Sequence, residues 1–213
     1  MFNGPLGESM VRLAQKKKLV KIQVHNLRKW TYDKHKTCDD KPFGGGPGMV
    51  MKIEPIFKAL CEIGRPAKGH VIMLSPRGRV FNQKMANALS KKKHLIFVCG
   101  HYEGVDERVH GHLVDQEISI GDFVTTGGEL PALCIIDAIA RLIPGVLGNQ
   151  SSLETESFQS RLLEYPQYTR PYEFNKWKVP DVLRSGAHRE IAKWRETEAR
   201  GITKKFRPDL LRK

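Results

Sequence analysis

The sequence predicts an α/β domain with a parallel sheet, followed by a small, basic and mostly helical domain. Residues 70–74 and 94–99 are short, almost continuous apolar segments, as expected for strands that are buried on both faces of a parallel sheet. Segments with helical spacing of apolar residues alternate with such strands, as in α/β folds. After Gly148 the chain becomes polar and then rich in Tyr, Trp, Arg and Pro, which indicates a second domain.

The N-terminal segment is predicted to form a helix, a strand and a long loop. Apolar residues at helical spacing indicate a helix over 5–18, with three lysines in its last turn, where cations interact favourably with the helix dipole. Val20, Ile22 and Val24 alternate with polar residues, a pattern that predicts a strand. The polar stretch 26–48 ends in a run of glycines and is predicted to be a loop.

The remaining elements follow from the same patterns. Helical spacing predicts further helices at 53–62, 82–92, 131–143 and 188–200, and Asn82 is placed to cap the second of these. Apolar runs predict strands at 70–74, 94–99 and 117–124, of which the first ends in a turn at 75–78 and the last is interrupted by Gly121. We therefore expect an α/β domain over 1–148, a flexible linker over 149–161 and a basic helical domain over 162–213.

Net charge is the first functional signal. The chain has 36 Lys and Arg against 23 Asp and Glu, a surplus of 13 positive charges. Such a surplus attracts polyanions, either nucleic-acid phosphates or anionic lipids, but charge alone leaves a merely solubilising role equally open. The most apolar stretch, 130–147, contains Asp137 and Arg141, so we expect no membrane span. The four cysteines form no CxxC pair, so we expect reduced thiols in a cytoplasmic protein and no metal site.

Three glycine-bearing turns follow predicted strands, at 75–78, 100–104 and 119–128. In an open α/β sheet, ligands bind beyond the carboxyl ends of the strands, where glycine lets the backbone approach a ligand closely. Taken singly, each turn more often serves only to end a strand. Taken together, the turns predict a pocket lined by main chain and suited to a nucleoside-like cofactor. No P-loop and no GxGxxG motif occurs, which disfavours a phosphate-loop or Rossmann nucleotide site.

Three further features allow more than one interpretation. The glycines of 44–48 could cradle a phosphate or form a mobile loop, and composition does not decide between them. His110 and His112, near Asp115, are disfavoured as metal ligands because residues two apart do not share a helix face. The aromatic residues of 165–177 could stack on bases, although we expect most of them to form the core of a small domain.

Several long motifs occur in order along the chain: DDKPFGGGPGM at 39–49, CGHYEGVDERV at 99–109, SIGD at 119–122, TGGELPA at 126–132, IPGVLG at 143–148 and YTRP at 168–171. They resemble the bacterial tRNA (guanine-N1-)-methyltransferases, the TrmD family of the SPOUT methyltransferase class. The resemblance covers nearly the whole chain and is far more specific than a single glycine pattern.

The resemblance implies a SPOUT-type fold with a deep trefoil knot, which sequence patterns alone would not predict. It implies a homodimer that uses S-adenosylmethionine, with Mg²⁺ as a further requirement, to methylate N1 of the guanosine immediately 3′ of the tRNA anticodon. The positions that match the donor-binding residues of the family are Leu74, Ser75, Pro76, Gly100, Tyr102, Ile120, Gly121, Thr125, Gly127, Gly128 and Pro131. These positions agree with the three turns identified above.

The reaction requires a base, because guanine N1 carries a proton at neutral pH, and a cation near O6, where negative charge develops. The resemblance places the base at Glu156 in the linker, with the nearby Glu154 as an alternative, and the cation at Arg141. Glu103 matches an acidic position near the reacting centre that is linked to Mg²⁺ dependence.

Two departures from the family pattern matter. The family normally has Asp where this chain has Glu156, and we expect Glu156 to act as the base after a small shift of a flexible linker. The family usually begins with a short apolar strand, whereas residues 1–3 lead almost directly into the first predicted helix, so we expect the sheet to lack one strand. Milder differences at His101, Thr125 and Thr126 could alter affinity for the donor or for RNA.

Two other functions remain open at this stage. One is an RNA-binding protein of the SPOUT class that has lost catalysis, for which Glu156 in place of Asp is the only support. The other is a basic nucleotide-binding α/β protein, such as a phosphate-loop enzyme, which the absence of Lys-Ser or Lys-Thr after glycine disfavours.

Overall fold

The computed structural model describes residues 1–64, 69–148 and 155–212. The chain divides into two compact units, Met1–Gly148 and Asn149–Lys213. Residues 149–154 of the predicted linker, including Glu154, lie outside the described residues. None of the helices in the described ranges is both long enough and apolar enough to cross a membrane.

The first unit is a mixed α/β structure. Its helices are α1 (Asn3–Leu6), α2 (Ser9–Lys16), α3 (Ile53–Ile63), α4 (Gln83–Ser90), α5 (Glu107–His112) and α6 (Glu129–Ala140). Its strands are β1 (Asp39–Asp40), β2 (Val50–Met51), β3 (Gly69–Val80), β4 (His94–Cys99), β5 (Gly104–Val105) and β6 (Gln116–Ser119), and a 3₁₀ helix covers Leu27–Trp30.

The central sheet has the order β4-β3-β6, and β3 runs parallel to both neighbours, so the predicted parallel sheet is confirmed. Successive side chains of a strand point to opposite faces. Val71 and Met73 therefore enter one buried cluster with residues of α3 and α5, whereas Ile72 and Leu74 enter another with residues of α4 and α6. Helices on both faces explain why this strand is continuously apolar.

The turn predicted at 75–78 is wrong, because these residues form a bulge within a longer strand. Ile118 of β6 pairs with both Leu74 and Arg79, so the four residues between them leave the ladder and rejoin it. A Cβ atom at Gly78 would lie 2.4 Å from the Ile118 nitrogen. Glycine is therefore required where the bulge returns to β6.

Three other boundaries differ from the prediction. The helix expected over 5–18 is divided into α1 and α2 by a break at Gly7 and Glu8. The strand expected at 20–24 is absent from the described structure, because the segment pairs with no strand there and Ile22 packs on the cluster containing Leu6 and Val11. The strand expected over 117–124 ends at Ser119.

Ser119 ends β6 through its own side chain. Its Oγ accepts a hydrogen bond from the Gly121 N–H at 3.2 Å and donates one to the Gly121 carbonyl at 3.0 Å. The chain turns at that point, and Gly121 adopts a φ of 149°, a region that favours glycine.

The other predicted helices are confirmed, with small shifts in their ends. Asn82 caps α4 by accepting a hydrogen bond from the Met85 N–H at 2.9 Å. In the second unit α7 (His188–Phe206) extends six residues beyond the predicted end at Arg200. Thr203 of α7 is fully buried, and its hydroxyl accepts a hydrogen bond from the Leu163 N–H at 2.8 Å.

The second unit also contains a hairpin that the sequence did not reveal. Its strands are β7 (Glu173–Phe174) and β8 (Trp177–Lys178), and 3₁₀ helices follow at Asp181–Arg184 and Pro208–Leu211. The expectation that most aromatic residues of 165–177 form a core is wrong for Tyr168 and Trp177, whose exposed fractions are 49% and 72%.

Candidate active site

A cavity of about 170 Å³ lies at the bulge of β3 and beyond the carboxyl ends of β4 and β6. Its lining includes Glu103 and ten of the eleven residues predicted to bind the donor: Leu74, Ser75, Pro76, Gly100, Tyr102, Ile120, Thr125, Gly127, Gly128 and Pro131. The eleventh, Gly121, is not among the lining residues. The three turns identified in the sequence therefore meet at one place, as expected for the ligand-binding edge of an α/β sheet.

Main chain forms one wall of the cavity. The Gly128 N–H donates a hydrogen bond of 2.8 Å to the Gly100 carbonyl, and His101 forms an antiparallel bridge with Gly127. A Cβ atom at Gly128 would lie 2.7 Å from the Cys99 Cα atom, so the start of α6 can approach the end of β4 only with glycine at this position.

Polar side chains reinforce the same wall. The Thr125 hydroxyl donates a hydrogen bond of 2.8 Å to the Gly127 carbonyl. The His101 Nε2 atom lies 3.4 Å from a carboxylate oxygen of Glu129, and a Cβ atom at Gly127 would collide with both side chains. Burial, together with the nearby Glu129 carboxylate, raises the pKa of the Cys99 thiol to about 12. At neutral pH Cys99 is therefore a thiol and not a thiolate nucleophile.

The segment around Glu103 also lines the cavity. The small sheet β1-β2-β5 brings this segment to the glycine-rich loop, and the Glu103 N–H donates to the Met49 carbonyl at 3.1 Å. Gly48 has a φ of 77°, and a Cβ atom there would lie 2.3 Å from the Glu103 Cγ atom. The glycine run therefore includes one position where a close approach to the cavity requires glycine.

Arg77 holds the bulge of β3 in place. Its guanidinium donates two hydrogen bonds to Glu107, at 2.8 and 3.0 Å, and two to Glu117, at 2.9 and 3.1 Å. These contacts lower the pKa of both carboxyls. The Glu117 oxygen that accepts the 3.1 Å bond from Arg77 also lies 3.0 Å from Nδ1 of His110, which lines the cavity. The bulge residues 75–78 are thus tied to α5 and β6 by charged groups.

We expect Arg77→Gln to weaken binding of the expected donor, S-adenosylmethionine, by about fivefold, a modest loss because exposed ion pairs contribute little. The reason is that Ser75 and Pro76, which line the cavity, lose the anchor of their bulge. Calorimetric titration measures the change, and an unchanged affinity would show that the bulge does not depend on Arg77.

The same variant has a pH signature. Lowered carboxyl pKa values contribute stability above the ordinary Glu pKa of about 4.3, and this contribution is lost as the pH falls through the lowered values. Arg77→Gln should therefore unfold with a weaker pH dependence than the wild type between about pH 2 and 5. Identical acid unfolding profiles would contradict this account.

The two remaining predicted catalytic residues do not line the cavity. Arg141 follows α6 directly and lies ten residues beyond Pro131, a distance of about 15 Å along a helix. Glu156 belongs to the second unit, in a turn where Ser157 Oγ accepts a hydrogen bond from the Glu164 N–H at 2.9 Å. Its side chain is half-buried.

Ten lining residues were not among the predicted donor-binding or catalytic residues: Met73, His101, Gly104, Val105, His110, Ile118, Ser119, Phe123, Val124 and Thr126. Six of them lie within the turns that were predicted to form the pocket: His101, Gly104, Ser119, Phe123, Val124 and Thr126. Met73, Val105 and Ile118 lie directly beside predicted residues. His110 is different, because α5 brings it to the cavity from outside the turns.

Asp115, which the sequence places near His110 and His112 as a possible metal ligand, makes other contacts in the structure. Asp115 accepts a hydrogen bond from the Val71 N–H at 2.8 Å and lies 3.6 Å from His70. Among the residues that the structure describes, no group of three or more His, Cys, Asp or Glu side chains is arranged to hold a metal ion.

Comparison with known proteins agrees with the sequence motifs. A family model described as tRNA (Guanine-1)-methyltransferase TrmD matches residues 1–213. A protein of Dictyoglomus turgidum named tRNA (guanine-N(1)-)-methyltransferase is 58% identical over 213 residues, covering 100% of this chain and 86% of the relative.

Two further relatives carry the same name. The protein of Carboxydothermus hydrogenoformans is 55% identical over 212 residues, covering 100% of this chain and 83% of the relative. The protein of Staphylococcus haemolyticus is 52% identical over 211 residues, covering 99% of this chain and 86% of the relative. The resemblance seen in the sequence is therefore confirmed, and the chain belongs to the tRNA (guanine-1)-methyltransferase TrmD family.

Proposed function

We propose that this protein transfers the methyl group of S-adenosylmethionine to N1 of the guanosine immediately 3′ of a tRNA anticodon. The observation that carries the proposal is the cavity at the strand ends, which contains ten of the eleven positions expected to hold the donor. The net charge of +13 suits an RNA substrate, and the name of the relatives, tRNA (guanine-N(1)-)-methyltransferase, specifies N1 of a guanine in tRNA.

The cavity has the character that a nucleoside-bearing donor needs. Leu74, Ile120 and Pro131 supply apolar contacts for an adenine ring, while Gly100 and Gly128 expose backbone to a ligand's polar groups. The glycine contacts described above leave no room for side chains at the wall. When bound, S-adenosylmethionine supplies an electrophilic methyl group on a positively charged sulfur.

The chain's own residues would handle the proton and the charge of the guanine. The Glu156 carboxylate would accept the N1 proton, which would leave the N1 electron pair free to take up the methyl group that the donor supplies. The Arg141 guanidinium stabilises the negative charge that develops on O6. Because Arg141 lies about 15 Å along a helix from Pro131, we propose that a second copy of the chain completes the site.

A stripe on α6 supports a homodimer. Leu130, Cys134 and Asp137 are exposed at spacings of four and three residues, which places them on one face of the helix. Leu130 is 48% exposed although most of this helix is apolar. We propose that this face, which leads to Arg141, lies at the interface between two copies.

The close backbone crossings support a knotted fold. Gly78 lies against the backbone of Ile118, and Gly128 lies against the backbone of Cys99, at separations that no Cβ atom would allow. Close passages of this kind are compatible with a chain threaded through a loop. We therefore propose that the first unit contains the trefoil knot of the SPOUT class.

Glu103 is the position that we propose for a divalent ion. Among the described residues it is the only carboxylate that lines the cavity. Mg²⁺ is usually held in proteins by one or two carboxylates together with water and phosphate oxygens. One protein carboxylate facing an RNA substrate fits that donor set.

Mass spectrometry of tRNA nucleosides tests the proposed reaction. Full-length protein, S-adenosylmethionine and a tRNA transcript with a guanosine 3′ of the anticodon should yield N1-methylguanosine at that position alone. A matched transcript with adenosine at that position should remain unmodified. If the protein binds the first transcript but never modifies it, an RNA-binding protein without catalysis becomes the better description.

A further inference from the structure

The hairpin β7-β8 of the second unit presents two aromatic side chains at a fixed tip. Phe174 and Trp177 pair directly across the hairpin and flank a two-residue turn of Asn175 and Lys176. Both turn residues have positive φ, 48° and 65°, as in the turns that match the twist of a tight hairpin. The two rings lie 6.1 Å apart, tilted by 54°.

The base of this hairpin is anchored. The Val179 N–H donates a hydrogen bond of 3.0 Å to the Tyr172 carbonyl, which extends the pairing below the strands. The Tyr172 hydroxyl donates to Asp181 at 3.0 Å, and the Arg184 guanidinium lies 3.7 Å above the Tyr172 ring. A tip held in this way loses little conformational freedom when it contacts a ligand.

The tip is exposed, whereas Tyr165 and Tyr168 of the same unit contact α7. Phe174 and Trp177 are 60% and 72% exposed. By contrast, Tyr168 packs against Trp194 of α7, and Tyr165 lies beneath the Arg195 guanidinium. A cross-strand aromatic pair stabilises its own hairpin, but stabilisation of the hairpin does not require both rings to stay so open to solvent.

The surroundings of the tip favour a polyanion. Residues 155–212 contain 13 Lys and Arg against 8 Asp and Glu. Lys176 occupies the turn itself, and Lys178 lies one residue beyond Trp177, although it also approaches the Glu173 carboxylate at 3.7 Å. Aromatic faces flanked by cations are the arrangement with which proteins bind unpaired bases of RNA.

We infer that the Phe174–Trp177 tip is a stacking surface for an unpaired base of the tRNA substrate. The inference rests on the proposed function and adds to it a contact made by the second unit. The lysines of the hairpin attract the phosphates on either side, and the Trp177 ring, with Phe174 beside it, stacks on the base.

Binding of a tRNA transcript to the full-length protein tests the inference. Replacing both rings with valine keeps strand-forming residues at both positions but removes the stacking faces. F174V/W177V should bind the transcript about 5- to 150-fold more weakly, the loss expected for one base stack of about 1–3 kcal/mol. W177F should retain most of the affinity, because a ring remains.

Two controls separate stacking from general effects. Phe206, at the end of α7 beside Lys205, is 62% exposed, and F206V should leave the affinity for the transcript unchanged. The fold-loss in F174V/W177V should be the same at low and high salt, because stacking releases no counterions. Affinity for S-adenosylmethionine, measured by calorimetry, should be unchanged in every variant of the tip.

Fluorescence gives a readout that does not depend on the valine variant. The chain has three tryptophans, and stacking on a base should quench the one at position 177. The quenching on adding the transcript should therefore be larger in the wild type than in W177F. The inference would be overturned by equal quenching in the wild type and W177F, by equal affinities of the wild type and F174V/W177V, or by a similar loss in F206V. It would also be overturned if F174V/W177V became monomeric in sedimentation.

The inference and the proposed function can fail separately. A wild-type protein that modifies tRNA, with F174V/W177V equal to it in affinity, would overturn only the stacking role. A wild-type protein that neither binds nor modifies tRNA would overturn the proposed function and the stacking role with it.

Discussion

Replacing Glu156 with Gln should lower the single-turnover rate of guanine N1 methylation by about 10²- to 10⁴-fold, the range expected when a general base is removed. The amide has nearly the same shape as the carboxylate but does not accept the N1 proton at neutral pH. Affinities for S-adenosylmethionine and for tRNA should remain close to those of the wild type. Rapid-quench measurement with labelled donor separates the chemical step from binding.

Two variants control for effects of the segment itself. Glu154→Gln makes the same change two residues earlier and should leave the rate unaltered, whereas Glu156→Asp supplies the residue usual in the family and should remain active. Chemistry undiminished in Glu156→Gln, together with a loss in Glu154→Gln, would assign the proton to Glu154. A placement error of about an ångström lowers rates by about 10²-fold. The rate of Glu156→Asp relative to the wild type therefore measures how well the longer Glu156 side chain is placed.

Replacing Gly128 with Ala should abolish measurable binding of S-adenosylmethionine and destabilise the first unit by about 1–3 kcal/mol, as overpacking does. The added methyl group would lie 2.7 Å from the Cys99 Cα atom and 3.0 Å from the Gly100 nitrogen. Both are backbone atoms, which cannot move aside as a flexible side chain can. Relief of the collision would separate α6 from the end of β4 and open one wall of the cavity.

Gly111→Ala is the matched control for this variant. Gly111 lies in α5, and a Cβ atom there would meet nothing within 4 Å. Alanine should therefore preserve donor binding and, through its higher helix propensity, should not lower the melting temperature. If titration calorimetry gave Gly128→Ala the same affinity for the donor as the wild type, the close approach of Gly128 to the backbone of Cys99 and Gly100 would not shape the site.

The parts of the fold that depend on local pattern were predictable from sequence. Val71–Leu74 form a buried strand between two helical layers, and their continuous apolarity is the pattern that such a strand requires. Asn82 caps α4 through contacts within four residues, so its role was visible locally. The meeting of the glycine-bearing segments at one place was also predictable, because parallel strands bring their carboxyl ends to one edge of the sheet.

Features that arise from contacts between distant segments were not predictable. The bulge at 75–78 exists because Ile118 pairs on both sides of it, and β1, β2 and β5 are strands of two residues that pairing alone defines. The alternation at 20–24 has the period of a strand, but Ile22 packs on helices instead. Glu156 and Arg141 carry no local signature of catalysis, so their roles are proposed from the family motifs alone.

Titration of the full-length protein with S-adenosylmethionine and, separately, with ATP tests most directly whether the strand-end cavity holds a methyl donor. We predict saturable heat with S-adenosylmethionine and none with ATP. In Gly128→Ala we predict no heat with either ligand. Binding of ATP without binding of S-adenosylmethionine would contradict the account and would point to a phosphate-binding α/β protein.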